Sequence, residues 1–177
     1  MTEYKENYRY ITTQDELNDV VDWARRQKYI AFDTETGPQP KYIKAWEENP
    51  RIGLDPRKSQ IYTFQIGNRY QQFIVDTRAD LNLSGVVALL EDPDIGILGV
   101  NLRFDSKFVM HHWNCIPTRL LDCMIMEQII RCGAFVVGTQ SERKSMIVRK
   151  HSGMRALAKR YLALDIDKDK DMRMSLW

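Results

Sequence analysis

Apolar residues recur at helical spacing from Leu17 through Val20, Val21 and Ala24, directly after Thr13-Gln14-Asp15-Glu16, which has the T-x-x-E form of a capping box. This spacing predicts a helix over residues 14–26. Tyr29-Ile30-Ala31-Phe32-Asp33-Thr34 is aromatic and apolar, which predicts a strand over 29–34 that ends in acidic residues and stops at Gly37-Pro38. From 37 to 59 the pattern breaks, with Pro38, Pro40, Pro50 and Pro56 among many charges, so a long insertion with one helical turn near 42–47 is expected. Segments 61–66 and 72–75 return to strand character on either side of a Gly67-Asn68 turn and predict a hairpin. Ser84 stands where it would cap a helix carrying Val86, Val87, Leu89 and Leu90, and 95–100 reads as a buried strand. Helical periodicity covers 104–113 and 122–131, with a short extended piece at 119–121 between them, and a last helix covers 154–161. This order predicts an α/β fold, a mixed sheet with helices on its faces.

Composition narrows the picture. A length of 177 residues suits one domain, read here as 1–177. Lys and Arg number 26 against 24 Asp and Glu, a net +2, which excludes a polybasic protein that coats nucleic acid through charge alone. With 44% hydrophobic and 28% charged residues the chain can build a core and is unlike a disordered one. The longest near-apolar stretch, 95–100, is far short of the roughly 20 residues of a membrane span. The opening MTEYKENYRY has no apolar signal core, so a cytoplasmic protein with no membrane partner is expected. Cys115, Cys123 and Cys132 are odd in number and lack C-x-x-C spacing, which indicates neither a disulfide framework nor a zinc ribbon. His111 and His112 are adjacent and point in different directions on a helix, and His151 lies in a basic stretch, so a histidine metal site is not expected.

The acidic positions carry the chemistry. Asp33 and Glu35 are an acid-x-acid pair at a strand end, where a period of two puts both carboxylates on one face and lets them converge on a hard divalent cation. Gly99-Val100-Asn101-Leu102-Arg103-Phe104-Asp105 places an amide and a second acidic position just after an apolar strand, at a helix entry. Asn101 and Asp105 would share a helical face if the helix has begun by then.

Phe32-Asp33-Thr34-Glu35-Thr36 and Asn101-Leu102-Arg103-Phe104-Asp105 resemble the first and second motifs of the DEDD 3′-to-5′ exonucleases of the ribonuclease H-like superfamily. The resemblance implies a ribonuclease H-like mixed sheet flanked by helices and two divalent cations, Mg²⁺ or Mn²⁺, at Asp33, Glu35 and Asp105. It implies that Asp33 bridges both ions, that Glu35 helps hold the one binding the attacking water, and that Asp105 holds the second through water. Asn101 would position the substrate or Asp105, and Thr34, Thr36 and Phe104 would line the substrate pocket. Asp122 resembles a recurrent acid with a structural role. Met154 to Leu162, with Asp167-Lys168 and Ser175-Leu176-Trp177, is similar to the segment before the third motif of ribonuclease D and of the proofreading domains of family A DNA polymerases. Those families take a fourth carboxylate, with a Tyr or His four residues ahead of it, from a helix after that segment. The expectation is therefore one exonuclease-like domain lacking its C-terminal catalytic helix, with impaired activity. Tyr161 and Asp165 have Y-x-x-x-D spacing but fall upstream of the position this motif takes, and are read instead as a core-edge tyrosine and a solvated acid.

Residues 143–160 contain Arg143, Lys144, Arg149, Lys150, Arg155, Lys159 and Arg160 and no acid, a cluster that would neutralise phosphates, with Arg149 and Lys150 as the candidate contacts. Tyr42 and Trp46, among Lys41 and Lys44, would either stack on an unpaired base or pack the insertion onto the domain. The expected function is metal-dependent 3′-to-5′ exonuclease action on single-stranded nucleic acid, DNA favoured, with polymerase proofreading as one setting and a DNA polymerase domain or subunit as one partner. The alternative is an inactive exonuclease fold that binds or scaffolds nucleic acid.

Overall fold

The computed structural model describes residues 8–131, 135–138, 146–149 and 153–166. A six-stranded mixed sheet has the order β1 (Tyr8–Ile11), β4 (Gln72–Asp76), β3 (Ser59–Gly67), β2 (Tyr29–Pro38), β5 (Gly96–Gly99), β6 (Leu120–Asp122). β2, β3 and β4 are antiparallel neighbours, whereas β1 runs parallel to β4 and β5 runs parallel to β2 and β6. The helices are α1 (Gln14–Arg25), α2 (Ile43–Glu48), α3 (Ser84–Leu90), α4 (Leu102–Trp113), α5 (Cys123–Ile130) and α6 (Met154–Leu162). A separate pair, β7 (Phe135–Gly138) and β8 (Met146–Arg149), is antiparallel. Among the described residues no helix is long and apolar enough to cross a membrane.

The core lies on one face of the sheet. Ile30 and Phe32 of β2, Phe64 and Ile66 of β3, Phe73 and Val75 of β4 and Ile97 of β5 meet Leu17, Val20 and Val21 of α1, Leu89 and Leu90 of α3 and Phe108 and Val109 of α4. Each such side chain contributes about 1.5–3 kcal/mol by leaving water, which makes this face the one that fixes strand register. Thr13 caps α1 as its sequence predicts, its Oγ1 accepting from Glu16 N–H at 3.4 Å, while the Glu16 carboxylate accepts from Thr12 N–H at 3.4 Å in place of the Thr13 N–H.

Several boundaries depart from the sequence reading. β2 does not stop at Gly37-Pro38, because β3 pairs with it through Gly37↔Gln60 and Pro38↔Ser59, and a proline at a strand end withholds no donor the ladder needs. Gly37 is required there: a Cβ would come within 2.5 Å of the Tyr62 ring. β1 carries no apolar alternation, since three of its four residues are exposed, and only pairing with β4 makes it a strand. Ser84 does not cap α3; Leu83 precedes the helix, and Asn82 Oδ1 accepts the Ser84 N–H at 2.9 Å. The insertion holds short 3₁₀ turns (Pro40–Tyr42 and Pro50–Leu54) around α2. Cys115 is a buried free thiol and Cys123 a half-buried one, while Cys132 and His151 lie outside the described residues.

Candidate active site

β5 pairs with β2 only as far as Ala31↔Leu98, so the edge of β2 from Phe32 onward is left open on that side. The chain leaves β5 through Gly99, where a Cβ would lie 2.4 Å from Leu102 Cδ2 and 2.9 Å from the Phe32 carbonyl oxygen; only glycine lets the turn pass this close to β2. Asn101 then takes the left-handed conformation at φ 65° and α4 starts at Leu102. Asparagine tolerates that conformation better than most residues. The consequence corrects one expectation, because Asn101 precedes the helix and shares no helical face with Asp105.

Asp105, in the first turn of α4 and 3% exposed, reaches the open edge of β2. Its Oδ1 accepts from Thr34 N–H at 2.9 Å and from Thr34 Oγ1–H at 2.7 Å, which leaves Oδ2 for another partner. The carboxylate thus does for the Thr34 amide what a neighbouring strand does elsewhere. Burial pushes the Asp105 carboxyl up to about 6, against the Thr34 hydrogen bonds, and the negative charge of Asp33 adds to the rise. Asp33 and Asp105 therefore sit within electrostatic reach of each other.

Asp33 and Glu35 face away from the core, since Phe32 and Thr34 between and beside them are buried while Asp33 is half-buried and Glu35 exposed. They look out beside β3, with Asp33 opposite Gln65 and Glu35 opposite Thr63, and a register shift follows between Glu35 and Thr36. Thr36 Oγ1–H donates to the Gly53 carbonyl at 3.0 Å, tying the end of β2 to the insertion. Trp46 packs its indole against Gly53, where a Cβ would stand 3.4 Å from Nε1, a contact between α2 and the following 3₁₀ turn within the insertion. Lys41 Nζ lies 5.0 Å from the centre of the Tyr42 ring. Phe104 packs its ring against Phe108 with centroids 4.9 Å apart, at the edge of the core. His112, also on α4, makes a 2.9 Å hydrogen bond from Nε2 to the Ser59 carbonyl and so anchors the start of β3.

Asp122 has the structural work its resemblance implies. Its Oδ1 accepts from Asn101 N–H at 3.0 Å and Met124 N–H at 2.9 Å, and its Oδ2 accepts from Leu102 N–H at 2.8 Å. One buried side chain thereby satisfies free amides at the start of both α4 and α5. Glu127 of α5, buried, receives Arg131, Arg160 and the Tyr161 hydroxyl. The Tyr161 hydrogen bond and the two guanidinium groups hold its carboxyl below the usual carboxylate range. Asp165 pairs with Arg155 at 2.9 Å on the surface.

These contacts revise the basic cluster. Arg155 is engaged by Asp165 and Arg160 by Glu127, Lys159 is exposed, and the Arg149 side chain, Lys150, Arg143 and Lys144 lie outside the described residues, as does the tail from Asp167 to Trp177. Sequence reasoning also missed Gln65. Its alternation with Phe64 and Ile66 marks it as outward-facing, but only the strand pairing sets it opposite Asp33.

Among the described residues no three Asp, Glu, His or Cys side chains gather where they would hold one metal ion. The donors present still suit a hard cation, because magnesium is commonly held by one or two carboxylates while keeping several waters. Asp33 and Asp105 supply such a pair, and Gln65, opposite Asp33 in the β2–β3 register, has a buried, unpartnered Oε1.

A family model described as 3′-5′ exonuclease matches residues 48–177. The chain belongs to this family of exonucleases. The matched span begins after β2, so the placement of Asp33 and Glu35 rests on the fold and the geometry above. A search of curated proteins gave no match. Among solved structures, the fold is similar to Escherichia coli RNase D, described as an exoribonuclease involved in structured RNA processing, with a TM-score of 0.67 and 20% identity over 94% of this chain. It is similar to Trypanosoma brucei RNase D in complex with RNA U12, with a TM-score of 0.64 and 20% identity, covering 93% of this chain and 50% of that one. It is also similar to Brucella melitensis NrnC with bound Mg²⁺, with a TM-score of 0.61 and 16% identity, covering 93% of this chain and 66% of that one. The chain spans 36% of the length of E. coli RNase D.

Proposed function

We propose that this domain removes nucleotides from the 3′ end of single-stranded nucleic acid by divalent-metal-dependent hydrolysis, with Asp33, Glu35 and Asp105 holding the metal. The observation that carries the reading is the Asp105–Thr34 pair, which draws the α4 acid onto the strand that bears Asp33 and Glu35. Bound cations would neutralise charge on the scissile phosphate and lower the pKa of a coordinated water. The residues of the chain have distinct tasks in this scheme. Thr34 fixes one oxygen of Asp105 and so aims the other. Asn101, exposed in its left-handed turn, and Phe104, at the edge of the core, would line the approach of the strand. Thr36 holds the insertion beside it, and Arg149 and Lys150 are assigned to phosphate contact.

The sugar is the finer point. A DNA substrate was the expectation from the polymerase resemblance, but two of the fold neighbours are described with RNA, so RNA is the first substrate to test. A polymerase partner forms no part of the proposal, and a cytoplasmic setting is carried within it. Single strands of RNA and of DNA, labelled at either end, should be shortened from the 3′ end in Mn²⁺ or Mg²⁺. Asp33→Ala should abolish this shortening. Binding without shortening in both metals, or shortening unchanged in Asp33→Ala, would overturn the assignment, the first in favour of a binding domain.

A further inference from the structure

Beside the acidic pair the outward face of the sheet carries a polar group that folding leaves unsatisfied. Gln65 Nε2 donates to Thr63 Oγ1 at 3.2 Å, and Gln65 Oε1 is buried with no hydrogen-bond partner, which holds for no other side-chain nitrogen or oxygen among the described residues. Turning the amide over does not help, because the threonine hydroxyl can donate as well as accept and one amide atom stays unpaired in either orientation. A methionine of similar length would keep the strand and remove the unpaired atom, so the unpaired oxygen carries a stability cost that the strand itself does not require.

The register says what this group faces. Thr34 N–H points away from β3, to Asp105, so the backbone groups of Asp33 point toward β3, and Asp33 and Gln65 form the hydrogen-bonded kind of antiparallel pair. Directly paired residues place their side chains next to each other on the same face. Gln65 therefore presents an acceptor next to the carboxylate assigned above to the cation.

We propose that Gln65 is a positioning residue of the cation site, whose amide oxygen accepts a hydrogen bond from a water of the hydration shell of an ion held by Asp33. This rests on the metal reading above and extends it to a residue that is not itself a metal ligand. A hydrated cation presents only donors outward, and groups that accept from its shell orient it; removing such a group commonly weakens metal affinity 10–100-fold.

Mn²⁺ affinity, read by titration calorimetry or by the fall in free-ion paramagnetic resonance, and melting temperature in EDTA would be measured for wild type, Asp33→Ala, Gln65→Met and Gln65→Glu. Gln65→Met is expected to melt higher than wild type in EDTA yet bind Mn²⁺ roughly ten-fold or more weakly. Gln65→Glu keeps an acceptor oxygen and is expected to retain Mn²⁺ affinity. If Asp33→Ala loses Mn²⁺ while Gln65→Met binds it as wild type does, this proposal falls and the cation site stands. If wild type binds no Mn²⁺, or Asp33→Ala binds like wild type, the cation reading falls and takes this one with it. A Gln65→Met protein that melts lower in EDTA with unchanged affinity would assign Gln65 a purely structural bond to Thr63.

Discussion

Replacing Asp105 by Asn tests the electrostatics of the site in the metal-free protein. The carboxyl is raised to about 6 in the folded chain, against about 3.9 in an unfolded one. The native state thus holds this proton more tightly than the unfolded state does. The stabilising contribution is full below about pH 4 and is lost as pH rises through about 6. A difference of about 2 units corresponds to about 3 kcal/mol lost between pH 4 and pH 8. Asp105→Asn keeps an oxygen for both Thr34 donors and removes the ionisation. In urea titrations with EDTA, wild type and variant should be close in stability near pH 4.5. Toward pH 8 the variant should pull ahead, by up to about 3 kcal/mol less what the charged hydrogen bonds return. Taking the difference between the two proteins cancels the other titrating groups. A difference that is flat from pH 5 to 7, or that favours wild type as pH rises, would refute the account of Asp105 as a carboxylate whose burial outweighs its hydrogen bonds. The same substitution should abolish metal-dependent hydrolysis, so the variant would be more stable and inactive.

Thr34→Val keeps the branched strand residue but removes the Oγ1–H bond to Asp105; a loss of about 1.5–3 kcal/mol at neutral pH is expected by urea denaturation, with Asp105 titrating still higher in an NMR titration. Asp76 is held at about 2 by Arg78 and by the Tyr10 hydroxyl, so its stabilising contribution is present above about pH 4 and is lost as pH falls toward 2. Asp76→Asn should accordingly speed amide exchange in β1 at neutral pH while leaving the amides of β2 unchanged. Gly37→Ala would drive a methyl into the Tyr62 ring, and thermal denaturation should show a loss of about 1–3 kcal/mol.

Local pattern was enough for most of the framework. The Thr13 to Glu16 cap, the apolar faces of α1, α3 and α4, the β3–β4 hairpin and the acidic strand β2 are written in spacings of a few residues, and the structure has each close to its expected place, although β2 runs on past its acids to Pro38. The chemistry class was legible for the same reason: Asp33 with Glu35, and Asp105 just past a buried strand, are short motifs whose order survives without knowledge of the fold. What depended on contacts between distant residues could not be read. β1 has no apolar signal and exists through β4, 64 residues away between Tyr8 and Gln72. Arg160 looked like a phosphate ligand because the acid that engages it, Glu127, lies in another helix. Whether α4 had begun by Asn101 was open in the sequence, and the left-handed turn that places Asn101 before the helix follows the close passage of Gly99 against β2. Gln65 is an ordinary outward strand residue until the pairing of β2 with β3 buries its unsatisfied oxygen beside Asp33. Side-chain type and spacing are local properties of the chain, whereas burial, hydrogen-bond satisfaction and proton affinity depend on every neighbour, and only the folded sheet supplies those.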